Sequence, residues 1–124
     1  MMSRIPVYEQ IISQTERFLM LGILKEGDWM PSVRALASEL SINPNTIQKA
    51  FGIMDKRRLI KSVPGRGCFI RDGAAEEVRR GRREYLEEYR EMIRELLLAG
   101  IRPEELHQCI EELEKEEGKG SILG

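Results

Sequence analysis

The residues best suited to chemistry lie in one short segment, and the chemistry they offer is hydrogen bonding to nucleic acid. An apolar stripe at helical spacing runs along the segment through Ile47, Ala50, Phe51 and Met54. The polar residues just before and within this stripe are then left facing outward: Asn45, Thr46, Gln48 and Lys49. Asparagine and glutamine amides can pair bidentately with adenine, threonine offers a methyl or hydroxyl group, and lysine can reach guanine or phosphate. A solvated polar face is the commoner meaning of such residues, so both interpretations stay open at this point.

A basic side chain at the tip of a tight turn is the second candidate. Arg66 stands between Gly65 and Gly67, and the dipeptide Pro64-Gly65 is typical of a turn. Gly67 lets the backbone approach a ligand closely because it carries no side chain. An arginine at such a tip can enter a DNA minor groove or hold a phosphate. An ordinary exposed hairpin arginine is the alternative interpretation.

Two helices joined by a short turn must position the polar face. Ser32 is a favourable N-cap for the first helix. Asn43 is the N-cap of the second, and Pro44 takes its first position, where a missing N–H costs nothing. Strands are predicted over residues 59–63 and 68–71, on either side of the arginine turn. This order is that of a winged helix-turn-helix, in which the second helix lies in the major groove.

At these positions the chain resembles the GntR family of bacterial transcription regulators, from about residue 5 to residue 71. The motifs that carry the resemblance are Pro31-Ser32-x-Arg34-x-Leu36-Ala37, Ile42-Asn43-Pro44-Asn45-Thr46-Ile47 and Gly65-Arg66-Gly67-x-Phe69-Ile70. The resemblance implies that Arg34 contacts the DNA backbone or a base, and that the loop Gly65-Arg66-Gly67 touches the minor groove. It also implies that four polar positions face the operator: Asn43, Asn45, Thr46 and Gln48.

The chain departs from the family pattern at four positions. Ser41 and Arg58 stand where glycine is frequent, so a left-handed backbone at either position would carry strain. Pro64 stands where a basic or polar residue is frequent, and Cys68 where threonine is frequent. These departures concern the contacts of the wing and leave the predicted fold unchanged.

The composition favours a cytoplasmic protein made of one small domain and an appendage. The 124 residues contain no stretch long enough to span a membrane and no signal peptide, so we expect no membrane partner. Cys68 and Cys109 are far apart and lack the spacing of metal ligands. We therefore expect reduced thiols, no metal and no cofactor.

The charges are divided unevenly along the chain, although the total is balanced at net −1. Residues 1–73 hold 11 Lys+Arg against 7 Asp+Glu, and residues 74–124 hold 9 against 14. The cluster Lys56-Arg57-Arg58 and Lys61 add to the basic side. A basic module followed by an acidic one is expected if only the first approaches phosphates.

The segment before the helix-turn-helix is predicted to add one more helix. Pro6 opens it and Gly22 ends it. Trp29 follows a turn at residues 26–28, and we expect it to pack in the core or at a hinge rather than to form a ligand platform. The predicted fold is therefore mainly α, with a winged helix-turn-helix of three helices and a two-stranded β wing over residues 1–73.

The rest of the chain predicts a two-helix C-terminal dimerisation element over residues 74–117. One long helix is expected from Ala74 to about Leu98 and another from Pro103, and residues 118–124 are expected to be disordered. The predicted dimerisation residues are Val78, Tyr85, Tyr89, Met92, Ile93, Leu96, Leu97, Leu106, Ile110 and Leu113. Two helices cannot bury such wide stripes alone, and a matching pair from a second chain would complete a small bundle. Packing back on the chain's own DNA-binding domain is the alternative.

The short tail resembles the YtrA-type branch of the family, whose members commonly repress operons for ABC-type transporters. The resemblance implies a homodimeric repressor on a palindromic double-stranded operator, although no residue points to a transporter. No enzyme is expected, because His107 and Cys109 do not share a helix face and no nucleophile or phosphate-loop motif occurs. A winged-helix adaptor that binds proteins remains the alternative. The tail is too short to enclose an effector pocket by itself.

Overall fold

The computed structural model describes residues 4–118, which fall into two compact units divided between Arg83 and Glu84. The first unit contains α1 (Val7–Leu21), α2 (Val33–Leu40), α3 (Pro44–Lys56), β1 (Ile60–Val63), β2 (Gly67–Ile70) and α4 (Ala74–Arg82). The second contains α5 (Tyr85–Leu98) and α6 (Pro103–Gly118). In the described part of the chain, no helix combines the length and the apolar character needed to cross a membrane. Gly118, the first residue of the C-terminus predicted to be disordered, ends α6, and residues 119–124 lie outside the described range.

The helix-turn-helix begins at the caps that the sequence predicts. The Ser32 hydroxyl accepts a hydrogen bond from the Ala35 N–H at 3.0 Å, and the Asn43 side-chain oxygen accepts one from the Asn45 N–H at 2.8 Å. Pro44 occupies the first turn of α3. Each cap satisfies a donor that the helix itself leaves free, so the two helix starts are fixed locally.

The two residues that stand where the family often has glycine both adopt the left-handed backbone. Ser41 ends α2 with φ of 55°, and Arg58 follows α3 with φ of 64°. The neighbouring N–H groups close each turn, since Ile42 donates to the Ala37 carbonyl and Leu59 to the Met54 carbonyl, both at 3.0 Å. A left-handed residue with a Cβ carries about 1–2 kcal/mol of strain, which the buried residues on either side of the turns must offset.

The core of the first unit lies where α1 packs against α3 and α4, while α2 and β1 pack against α3. Its buried side chains are Ile12, Leu19, Ala37, Ile47, Ala50, Phe51, Met54, Leu59, Ile60, Ile70, Ala74 and Val78. The predicted inward stripe of α3 is therefore confirmed. Gly22 ends α1 with φ of 77°, as predicted.

The wing is an antiparallel hairpin in which Ile60 pairs with Ile70 and Val63 with Gly67. The segment before α2 pairs with β2 as a short third strand-like segment, which the sequence did not predict. The Met30 N–H donates to the Cys68 carbonyl and the Ile70 N–H to the Asp28 carbonyl, both at 2.8 Å. This pairing places Trp29 on the wing with 48% of its surface exposed, so of the two predicted placements, in the core or at a hinge, the core is wrong.

The single long helix predicted after the wing is two helices. Residues 83 and 84 form a turn between α4 and α5. Gly81 lowers the helix propensity just before the break. Because α4 packs against α1, Val78 is 3% exposed and belongs to the core of the first unit. Its assignment to a dimer surface is corrected, and the compact unit extends beyond residue 73 to Arg83.

One carboxylate joins three helices of this unit. Glu16 of α1, whose side chain is only 11% exposed, accepts hydrogen bonds from Arg57 at 3.4 Å and from Arg82 at 3.3 Å. Arg57 caps α3, and Arg82 ends α4. An ion pair with a shielded carboxylate is screened less by salt than a surface pair, so Glu16 ties the end of α4 to the DNA-binding fold.

We expect the substitution Glu16→Gln to lower the free energy of unfolding by about 1–3 kcal/mol, because hydrogen bonds to a charged group are lost in a shielded site. Urea unfolding measures this change, provided that the m-value, the dependence of the unfolding free energy on urea concentration, stays the same. Glu9→Gln on an exposed part of α1 is the matched control and should stay within about 0.5 kcal/mol of the wild type. Equal midpoints for Glu16→Gln and the wild type would contradict a stabilising role.

Candidate nucleic-acid interface

The polar face of α3 is open to solvent along most of its length. Asn45, Gln48 and Lys49 are exposed, whereas Thr46 is half-buried and Ile47 is fully buried. The outward orientation is therefore as predicted, with Thr46 turned partly toward the protein. The exposed amides of Asn45 and Gln48 offer both donors and acceptors on the first turns of a helix.

Lys49 has a partner that the sequence did not indicate. Its Nζ atom lies 4.0 Å from the centre of the Tyr8 ring, which belongs to α1. Such a cation–π contact is worth about 0.5–1 kcal/mol at an exposed site. The ammonium group of Lys49 is thus held on the side of α3 that faces α1. Contacts between residues 41 positions apart leave no signature in sequence periodicity.

Two further predicted residues lie at the starts of α2 and α3. Asn43 uses its side-chain oxygen to cap the helix, which leaves its amide NH₂ group available to a ligand. Arg34 is exposed in the first turn of α2. The positive end of the helix dipole at the start of α3 favours a phosphate near this helix end.

The wing tip carries Arg66 on a turn that two glycines permit. Gly65 and Gly67 have φ of 78° and 109°, in the region where a side chain would be strained. The Arg66 N–H donates to the Val63 carbonyl at 2.9 Å, which closes the turn. The Arg66 guanidinium lies over the Trp29 ring, with Cζ 5.4 Å from the ring centre.

The charge division becomes sharper at the boundary that the structure sets. Residues 1–83 hold 15 Lys+Arg against 9 Asp+Glu, net +6, and residues 84–124 hold 5 against 12, net −7. Within the basic cluster at the end of α3, Arg57 is paired with Glu16, whereas Lys56 and Arg58 are exposed. The first unit therefore carries the positive charge that attracts a polyanion.

The second unit has an apolar surface instead of a core, since no side chain of residues 84–117 is buried. The predicted dimerisation residues that are exposed here are Tyr85, Tyr89, Met92, Leu96, Leu97, Ile110 and Leu113. Met92 reaches 61% exposure, while Ile93 and Leu106 are half-buried. Isolated helices with such exposed apolar faces are only marginally stable in water.

The family profile described as "Bacterial regulatory proteins, gntR family" matches residues 7–70, more than half of the chain. The chain belongs to the GntR family. This GntR protein is 37% identical over 112 residues to the HTH-type transcriptional repressor YtrA of Bacillus subtilis (strain 168), covering 90% of this chain and 86% of that one. The match confirms the predicted family and its helix-turn-helix.

Solved structures show the same fold for the GntR protein. A crystal structure of a transcriptional regulator from Oenococcus oeni superposes with a TM-score of 0.73 at 28% identity, covering 89% of this chain and 92% of that one. The DNA-binding domain of AraR in complex with operator ORE1 has a TM-score of 0.51 at 26% identity, covering 53% and 80%. The winged helix-turn-helix is thus confirmed, and the GntR protein is a DNA-binding transcriptional regulator, not an enzyme.

Proposed function

We propose that this GntR protein is a homodimeric repressor that binds an inverted-repeat operator in double-stranded DNA. The observation that carries the proposal is the exposed polar face of α3, which stands opposite the buried stripe of the same helix. A recognition helix of this kind enters the major groove with its first turns against base edges. The repressor role rests on the name of the Bacillus subtilis relative.

In the proposed complex each exposed polar group has a distinct task. Asn45 and Gln48 read base edges, because their amides can pair bidentately with adenine. Arg34 holds a backbone phosphate beside the α3 start, and Arg66 enters or borders the minor groove. The supporting contacts come from Asn43, Thr46, Lys49 and the backbone of Gly65 and Gly67.

The proposed dimer is inferred from the exposed apolar surface of the second unit. A second copy of this chain would cover the exposed faces of α5 and α6 with an identical face, as a two-fold interface requires. Two-fold symmetry would present two recognition helices to two half-sites of opposite orientation. The surface of the second copy would comprise Tyr85, Tyr89, Met92, Ile93, Leu96, Leu97, Leu106, Ile110 and Leu113.

The kind of operon that is regulated is inferred from the resemblance and not from individual residues. The resemblance to the YtrA-type branch favours an operon for an ABC-type transporter, and the similarity to the repressor YtrA along most of both chains supports the assignment to this branch. Inspection of the neighbouring genes and selection of bound DNA from a random pool test this directly. A selected consensus without inverted symmetry would contradict the two-fold operator.

A salt titration of duplex binding tests the proposed function. We expect the affinity to fall steeply with salt, and we expect Arg34→Ala to reduce the slope of log K against log salt by about 1.8. Each phosphate contact contributes about 0.9 to this slope, and a dimer carries two Arg34 side chains. Fluorescence anisotropy on a labelled random-sequence duplex measures it.

Arg90→Ala is the matched control, because it removes the same charge from an exposed position of α5 in the second unit. Its slope should equal that of the wild type. An unchanged slope for Arg34→Ala would remove Arg34 from the phosphate contacts. No binding of the wild type to any duplex at low salt would instead favour the protein-binding adaptor.

A further inference from the structure

We propose that Trp29 is a positioning residue for Arg66, and that the wing's contact with DNA depends on this pair. The inference rests on the proposed function, since it concerns how the wing meets the minor groove. Trp29 lies in the segment before α2, and Arg66 lies at the tip between β1 and β2. The pair thus joins two parts of the chain that the sequence alone does not connect.

The geometry places the guanidinium group on an aromatic face. The Arg66 Cζ atom lies 5.4 Å from the centre of the Trp29 ring, within the range of a cation–π contact. The indole meets the Phe69 ring edge-on, with centroids 5.5 Å apart and planes at 63°. Phe69 therefore supports the indole, and the indole supports the arginine.

The backbone of Trp29 is held as firmly as its ring. Trp29 forms a bridge with Phe69, and the hydrogen bonds from Met30 to Cys68 and from Ile70 to Asp28 flank it. These bonds fix the residue to β2, the strand that leaves the wing tip. Trp29 can therefore act as a rigid platform, although it belongs to neither strand of the hairpin.

The exposure of Trp29 indicates that its indole has a role besides packing. Trp29 remains 48% exposed, whereas a tryptophan that only stabilised the wing would gain most by being buried. Arg66 sits on a turn between two glycines and has a long, flexible side chain. Holding its guanidinium group before DNA arrives reduces the conformational entropy lost on binding.

A double-mutant cycle on the full-length protein tests the proposal. The probe is a duplex recovered from a random pool by the wild-type protein, and the variants are Trp29→Leu, Arg66→Ala and the double variant. We expect Trp29→Leu to weaken binding by roughly two- to tenfold for each wing, the penalty for ordering one long side chain on binding. In the Arg66→Ala background the same substitution should change the affinity no further, because the two residues act as a unit.

Trp29→Phe is the rescue variant, since it keeps an aromatic face in the same place. It should recover part of the affinity that Trp29→Leu loses. Thermal unfolding followed by circular dichroism checks that each variant folds. Independent, additive losses in the cycle would overturn the proposal, and so would equal affinities for Trp29→Leu and the wild type.

A second measurement needs no DNA. Trp29 is the single tryptophan of the chain, so its fluorescence reports on the wing alone. Removing the guanidinium group with Arg66→Ala should make the indole more accessible, and acrylamide should quench it more strongly in the free protein. Unchanged quenching would overturn the pairing.

The two arms separate this inference from the proposed function. The inference is supported if Arg66→Ala increases acrylamide quenching of Trp29 and lowers duplex affinity, and if the losses in the double-mutant cycle are not additive. An Arg66→Ala variant that binds the duplex as well as the wild type overturns the wing's role, while the salt titration with Arg34 still tests DNA binding by α2 and α3. Failure of the wild type to bind any duplex overturns both proposals.

Discussion

The substitution Met92→Asp is expected to convert the full-length protein from a dimer to a monomer and to weaken operator binding by about 10²–10⁴-fold. Met92 is 61% exposed on a helix whose unit has no buried side chain among its described residues. At a dimer seam the new carboxylate would be buried without a partner, which is strongly unfavourable. Loss of the second module removes the gain in effective concentration, whose size is about 10²–10⁴. Sedimentation and operator titration measure the two effects.

Met92→Leu is the control for this prediction, because it keeps an apolar side chain of similar size at the same position. It should leave the protein dimeric. A chain ending at Arg83 should be monomeric as well, since it keeps the core of the first unit and loses α5 and α6. A dimeric truncated chain, or a monomeric wild type at tens of micromolar, would show that α5 and α6 do not form the dimer.

The second large effect is expected for Gln48→Ala on the true operator. The amide of Gln48 is exposed on α3, one helical turn beyond the N-terminal residues. Losing a bidentate pair with a base should cost about 1–3 kcal/mol per half-site and relax the preference at one position. Titration of the selected operator, and of duplexes with that base pair changed, measures both consequences.

Gln108→Ala makes the same chemical change in the second unit and should leave operator affinity unchanged. Binding to random duplex should be little altered in Gln48→Ala, because phosphate contacts supply non-specific affinity. Equal losses on the operator and on random duplex would contradict base reading by Gln48.

Features that depend on a few consecutive residues could be predicted from the sequence alone. The caps at Ser32 and Asn43 and the proline at the start of α3 involve hydrogen bonds within a few residues, so their side-chain chemistry specifies them. The apolar stripe of α3 and the wing turn at Gly65 follow from periodicity and turn preferences of the same short range. The resemblance to the family marked Ser41 and Arg58 as positions where glycine is frequent, and both adopt the left-handed backbone.

The helix break after α4 was not predictable from the apolar pattern, because that pattern continues from Val78 into α5. The two parts of this apolar pattern lie in different environments. Val78 is buried in the core of the first unit, where α4 packs against α1, while most apolar residues of α5 are exposed. Periodicity reveals that a face is apolar, but it carries no information about which surface covers that face.

The placements of Glu16, Lys49 and Trp29 depend on segments that are distant in sequence. Glu16 meets Arg57 and Arg82, Lys49 meets Tyr8, and Trp29 meets Arg66. Each contact forms only when folding brings two or three elements together, so no local preference encodes it. The residue types along the chain thus established the family, the helix-turn-helix and its polar face. The packing of distant elements established how the basic side chains around that face are held, because such contacts arise from the folded arrangement alone.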